Sequence, residues 1–150
     1  MFKKILLPTD GSQHSYRAAC VAGEMASKYG GEVQPLVAVE YQYLTKGDLP
    51  PDVVEQVHAK IAARAQQALA GAEAAVRESG GTCLPGQIVE GAPDDAILRV
   101  AEDGEFDLIV LGSQGVSEEA GHARLLGSVA ERVLHRTCCP VLVIRAEARR

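Results

Sequence analysis

Leu108-Ile109-Val110-Leu111-Gly112-Ser113-Gln114-Gly115, with Gly127-Ser128 following after eleven intervening residues, is the stretch that decides the fold. Its four apolar residues have the length and branching of a buried strand, and Ser128-Val129-Ala130-Glu131-Arg132-Val133-Leu134 carries apolar residues at helical spacing. A strand, a glycine-bearing loop and a helix in that order bring backbone N–H groups and a helix N-terminus together, and both favour negative charge. The segment therefore reads as a phosphate-binding loop. The same glycines would serve an ordinary turn that needs positive φ. Ser128 and Glu131 also form an S-x-x-E capping box, which competes for the Ser128 hydroxyl while leaving its amide.

On either side, apolar strand-like runs alternate with helical patterns, without a repeat, a low-complexity tract or a clear linker. That alternation predicts a single-domain, open, five-stranded parallel α/β sheet with helices on both faces. The first strand covers residues 4–7 and ends in Pro8-Thr9-Asp10-Gly11-Ser12. The helix after it puts Ala18, Val21, Ala22, Met25, Ala26 and Tyr29 on one face and stops at Gly30-Gly31. A second strand at residues 33–40 leads, past Gly47, Pro50 and Pro51, to a long helix with Val54, Val57, Ile61, Ala65, Leu69, Ala72 and Val76 inward, ended by Gly80-Gly81. The third strand, Gln87–Glu90, belongs near the sheet edge because Pro85 precedes it. Gly91-Ala92-Pro93 turns into a short helix over residues 94–102, with Pro93 near its first position and Asp94 and Asp95 in its first turn. The fourth helix is Ser128–Arg136, and the last strand is Val141–Ile144 after Pro140.

A chain of 150 residues suits one domain that buries roughly 70% of its unfolded surface. Its apolar and charged fractions, 47% and 23%, argue against disorder, and its net charge of −5 argues against nucleic acid or an anionic membrane as partner. Ile5-Leu6-Leu7 is too short for a secretion signal before Pro8, and no run approaches the ~20 apolar residues of a membrane helix. A soluble, cytoplasmic protein is expected. Cys20, Cys83, Cys138 and Cys139 form no CxxC pair and read as small buried hydrophobes. His14, His58, His122 and His135 have no metal-binding spacing and read as surface residues. There is no GxSxG elbow, no GxxxxGK[ST] loop and no GxGxxG fingerprint, so the nucleophile-elbow, P-loop and dinucleotide classes fall away.

In open parallel sheets, ligands bind beyond the carboxyl ends of the strands where strand order reverses. The two chemically unusual loops follow strands one and four, so these strands are expected side by side, with the Asp10 carboxylate facing a glycine-lined anion site. Asp10 would take ribose hydroxyls or a divalent metal, and the glycine amides would take phosphates. The adenine would lie toward strand two, its edge read by main-chain groups at Val39. No residue presents itself as a general base, and no catalytic residue is assigned.

These residues resemble the universal stress protein family. The likeness runs through Lys3-Lys4-Ile5-Leu6-Leu7-Pro8-Thr9-Asp10-Gly11-Ser12, Val89-Glu90-Gly91-Ala92-Pro93, the segment from Phe106 to Gly115, the helix beginning Gly127-Ser128-Val129, and Cys139-Pro140-Val141-Leu142-Val143-Ile144. The resemblance implies strand order 3-2-1-4-5, a homodimer formed through the final strand Val141–Ile144, and ATP held by a GxxG, nine-residue spacer, G[ST] motif. The residues it puts at the nucleotide are Pro8, Thr9, Asp10, Val39, Gly91, Gly112, Ser113, Gly115, Gly127, Ser128 and Val129. ATP, or ADP or AMP, is the expected ligand, with Mg²⁺.

The chain departs from that motif in its spacer, residues 116–126, which has eleven residues and includes Glu118, Glu119 and Gly121. Carboxylates close to a triphosphate repel it unless a divalent cation lies between. His122 and Arg124 in the same spacer could fold over the phosphates. The leading expectation is a dimeric, ATP-binding stress sensor or regulatory module. The alternatives are a nucleotide-free dimeric interaction protein whose acidic spacer closes the site, and a slow ATPase or adenylate-chemistry enzyme.

Overall fold

The computed structural model describes residues 1–44, 47–114 and 126–146. Its elements run β1 (Lys4–Pro8), α1 (Gln13–Tyr29), β2 (Glu32–Val39), α2 (Pro51–Glu78), β3 (Thr82–Cys83), β4 (Gln87–Glu90), α3 (Pro93–Asp103), β5 (Leu108–Gly112), α4 (Ser128–Arg136) and β6 (Val141–Ile144).

The sheet order is β3-β2-β1-β5-β6, with β4 also on β2, and every pairing is parallel. The expected order 3-2-1-4-5 is present, but the third lateral position is split, so the strands number six rather than five. β3 pairs with Glu32 and Val33, and β4 with Leu36 to Val39, along one edge of β2. The break falls at Leu84-Pro85-Gly86, where Pro85 has no N–H to donate to the ladder. The side-chain amide of Gln34 donates to the Pro85 carbonyl across that gap.

Both sheet faces are covered, which is why the strands are near-continuous apolar runs. Ile5, Leu7, Val33, Leu108 and Val110 pack on the alanines of α1 and on Ala72, Ala75 and Val76 of α2. Leu6, Leu36, Ile109 and Leu111 pack on Ile97 and Ala101 of α3 and Ala130 and Val133 of α4. The α1 stripe includes Ala18, Ala22 and Ala26 as expected, but Tyr29 at its end is 43% exposed and meets Phe2 edge-on at 5.6 Å. α1 lies so close to α2 that a Cβ on Gly23 would stand 2.6 Å from the Val76 carbonyl oxygen.

α3 and α4 are tied at their ends by charge. Asp94, 6% exposed, meets Arg136 at 2.9 Å and Arg132 at 3.4 Å, and Asp95 meets Arg136 at 2.7 Å. The cysteines are less buried than expected. Cys138 is exposed in the turn before β6, because neighbouring residues of an extended chain face opposite ways and Cys139 takes the inward side. Burial pushes the Cys83 and Cys139 thiols above their ordinary range. Among the described residues, no helix is long and apolar enough to cross a membrane.

Candidate functional site

β1 lies between β2 and β5, so the chain reverses its lateral direction between the first and fourth sheet positions. Beyond their carboxyl ends is a cavity of about 250 Å³. The β1 loop contributes Pro8, Thr9 and Asp10; the end of β5 contributes Leu111, Gly112, Ser113 and Gln114; and the start of α4 contributes Gly127, Ser128, Val129 and Ala130. Leu36, Ala38, Pro93 and Ile97 supply an apolar wall on the α3 side. Most residues expected at the ligand are therefore brought together. Gly115, with Glu118, Glu119, His122 and Arg124, lies outside the described residues.

Val39 and Gly91 are not part of the lining. Consecutive residues of a parallel strand send their N–H and C=O groups to alternate edges. On β2, the Leu36 carbonyl accepts from Thr9 on the β1 side, whereas the Val33 and Val39 carbonyls accept from Leu84 and Gly91 on the other side. Val39 therefore faces β4, and its side chain packs against Ala65 and Leu69 of α2. The residue that takes its place is Ala38, whose N–H and C=O turn toward the β1 side. β1 has already ended at Pro8, opposite Leu36, and its chain turns away through Gly11 at φ 81°. Ala38 thus presents a donor and an acceptor at the cavity wall. The sequence held this signal in its strand parity, but fixing it requires knowing which edge of β2 β1 occupies.

The loop around Asp10 is organised from within. Its Oδ1 accepts the Ser12 N–H at 3.0 Å, and Ser12 caps α1 by accepting from the Ser15 N–H at 3.1 Å. The Thr9 hydroxyl donates to Ser15 Oγ at 3.1 Å and accepts from the Gly11 N–H at 3.3 Å. Thr9 is 8% exposed, so it acts mainly as framework. Gly112 is also a framework position, since a Cβ there would come within 2.9 Å of the His14 and Ser15 backbone.

α4 begins differently from the expected capping box. Gly127 is its N-cap, in extended conformation with φ −72°, and Ser128 stands one position inside, so no side chain caps the helix. The Glu131 N–H closes the first turn on the Gly127 carbonyl. A helix leaves its first-turn N–H groups without intrahelical acceptors, and at Val129 and Ala130 these amides belong to residues that line the cavity. Anions are favoured there by both the amides and the helix dipole. Among the described residues of the lining, Asp10 is the one ionisable side chain.

Fold and site together define a doubly wound parallel α/β domain with an anion-favouring cavity at its switch point. The chain belongs to the universal stress protein family, whose sequence model matches residues 1–145. It is 35% identical over 147 residues to universal stress protein MJ0531 of Methanocaldococcus jannaschii, covering 97% of this chain and 83% of that protein. The structure of protein MJ0577 from the same organism superimposes with a TM-score of 0.82 at 27% identity, covering 98% of each chain. A universal stress protein solved in complex with cAMP is 30% identical, with a TM-score of 0.69 and coverage of 95% of this chain and 96% of that one.

Proposed function

We propose that this chain binds an adenine nucleotide, ATP with Mg²⁺ foremost, and acts as a dimeric stress-response sensor or regulatory module. The observation that carries this reading is the cavity itself. It has the apolar wall of Leu36 and Ile97, the main-chain donor and acceptor of Ala38 suited to a base edge, and the uncapped N-terminus of α4 suited to phosphate. At about 250 Å³ it stands just under the usual ~300–1,000 Å³ of small-molecule pockets. The cAMP complex of a relative adds support from chemistry of the same kind.

Asp10 fits a divalent cation, because Mg²⁺ is commonly held by one or two carboxylates together with substrate phosphates and water. When bound, the ion neutralises phosphate charge beside that carboxylate. Binding rather than fast turnover follows from the lining. Phosphoryl transfer needs a positioned nucleophile and cations on the developing charge, and the described lining supplies neither a lysine nor an arginine. The dimer reading rests on β6, whose unbroken apolar run, part-buried along its length, pairs with β5 on one edge.

The test is to denature freshly purified protein and identify released nucleotides by mass spectrometry, comparing wild type with Gly127→Val. An adenine nucleotide from the wild type and none from the variant is the expected result. Equal release from both would place the nucleotide elsewhere.

A further inference from the structure

Ser113 is 1% exposed and forms the floor of the cavity, yet its donors point away from it. Its N–H donates to the Ile144 carbonyl at 2.8 Å, and its carbonyl accepts the N–H of Gly127, the N-cap of α4. Its hydroxyl lies 3.0 Å from His14 Nδ1. The same nitrogen accepts the N–H of Ala146 at 3.0 Å. A backbone amide can only donate, so Nδ1 carries its lone pair and the Ser113 hydroxyl donates to it as well. The first turn of α1, the residue that follows β5 and the segment leaving β6 therefore meet at one imidazole nitrogen, and the N-cap of α4 joins them through the Ser113 carbonyl. Gly112 permits the meeting, since a Cβ there would stand 2.9 Å from His14 Cβ.

We propose that His14 is a positioning residue for the anion site: through Nδ1 it fixes Ser113, and through Ser113 the N-cap of α4, while the Ala146 amide makes that frame continuous with the C-terminal end of β6. The proposal rests on the nucleotide reading above. The histidine touches no ligand. It holds the Ser113 hydroxyl in one rotamer, keeps the Ser113 carbonyl on Gly127 and so aims the first-turn amides of α4. Removing the nitrogen leaves the Ser113 hydroxyl and the Ala146 amide without their acceptor, and the frame loosens from both sides. Loss of the chain from residue 146 onward removes one of the two donors and should act on the ligand only by way of His14.

The experiment measures ATP–Mg²⁺ affinity by calorimetry for wild type, His14→Ala, His14→Asn and His14→Gln, each with and without residues 146–150, alongside thermal melts. Loss of one frame hydrogen bond predicts about 3- to 10-fold weaker binding in His14→Ala. His14→Asn should restore most of it, because its amide oxygen reaches the place of Nδ1, whereas the longer His14→Gln should not. Truncation should weaken binding in the wild type and have no further effect in His14→Ala, the mark of direct coupling. A general loss of stability would instead lower binding and melting temperature together in all three variants, and that outcome overturns the proposal. Wild-type binding with an unchanged constant in His14→Ala overturns the His14 assignment alone. A wild type that binds no nucleotide overturns the nucleotide reading and this proposal with it.

Discussion

At the scale of single residues, the two glycines that line the cavity differ in what the fold demands of them. Gly112 is required by packing, because a methyl group there meets backbone atoms of α1 that cannot move independently. Gly112→Ala should destabilise the protein by about 1–3 kcal/mol, read from urea unfolding. Gly127 has a φ of −72°, open to any residue, so Gly127→Val should leave the melting temperature nearly unchanged and abolish nucleotide binding. A large fall in stability would make Gly127 a second framework glycine. Asp10→Asn tests charge alone, since an amide oxygen can still accept the Ser12 N–H. It should weaken ATP binding by about 10- to 100-fold and remove the Mg²⁺ dependence. That Asp10, Gly112 and Gly127 line one cavity was legible in the sequence, although packing on α1 accounts for Gly112. The cavity wall falls one residue before Val39, at Ala38, because the edge a main-chain group faces depends on its neighbouring strand and not on its own side chain. His14 reads in the sequence as a surface residue because its partners, Ser113 and Ala146, are remote along the chain.

At the scale of elements, alternation of apolar runs and helical stripes carried most of the fold, and Pro85 correctly marked a weak point in the sheet. The split of that position into β3 and β4 was not legible, since two pairing residues leave no periodic pattern. The N-terminus of α4 shows the reverse difficulty: the S-x-x-E pattern is present, but the helix starts one residue early for it, with Gly127 in the N-cap position and Ser128 already inside. α3 and α4 wall the cavity and are joined through Asp94, Arg132 and Arg136. Asp94→Asn should lower the urea midpoint, and added salt should narrow the difference from wild type, because both arginine side chains are about half exposed. The thiols give a check on the burial of β3 and of the turn before β6. Burial raises the Cys83 and Cys139 thiols, so their thiolate fraction at mildly alkaline pH is small. Cys138, exposed, should react first with a thiol reagent, and Cys83 and Cys139 should follow only as the pH is raised. Early labelling of Cys139 would show that the turn before β6 opens readily.

At the scale of the whole molecule, β6 is tied to the switch-point cavity along its β5-facing edge, where the Ile144 carbonyl accepts the Ser113 N–H and the Ala146 N–H donates to His14. Along β6, Pro140 and Ile144 send their carbonyls to β5. Strand parity therefore turns the main-chain N–H and C=O groups of Val141 and Val143 to the open edge, while their side chains pack on the core. Val143→Pro should remove an outward N–H while sparing the ladder to β5, and so convert a dimer to a monomer in analytical ultracentrifugation. An unchanged mass would move the interface elsewhere. The central claim is that the cavity at the switch point holds an adenine nucleotide, and calorimetric titration of nucleotide-free wild-type protein with ATP, with and without Mg²⁺, tests it most directly. One saturable site per chain, tighter with Mg²⁺, is the predicted result. No binding heat under either condition would contradict it.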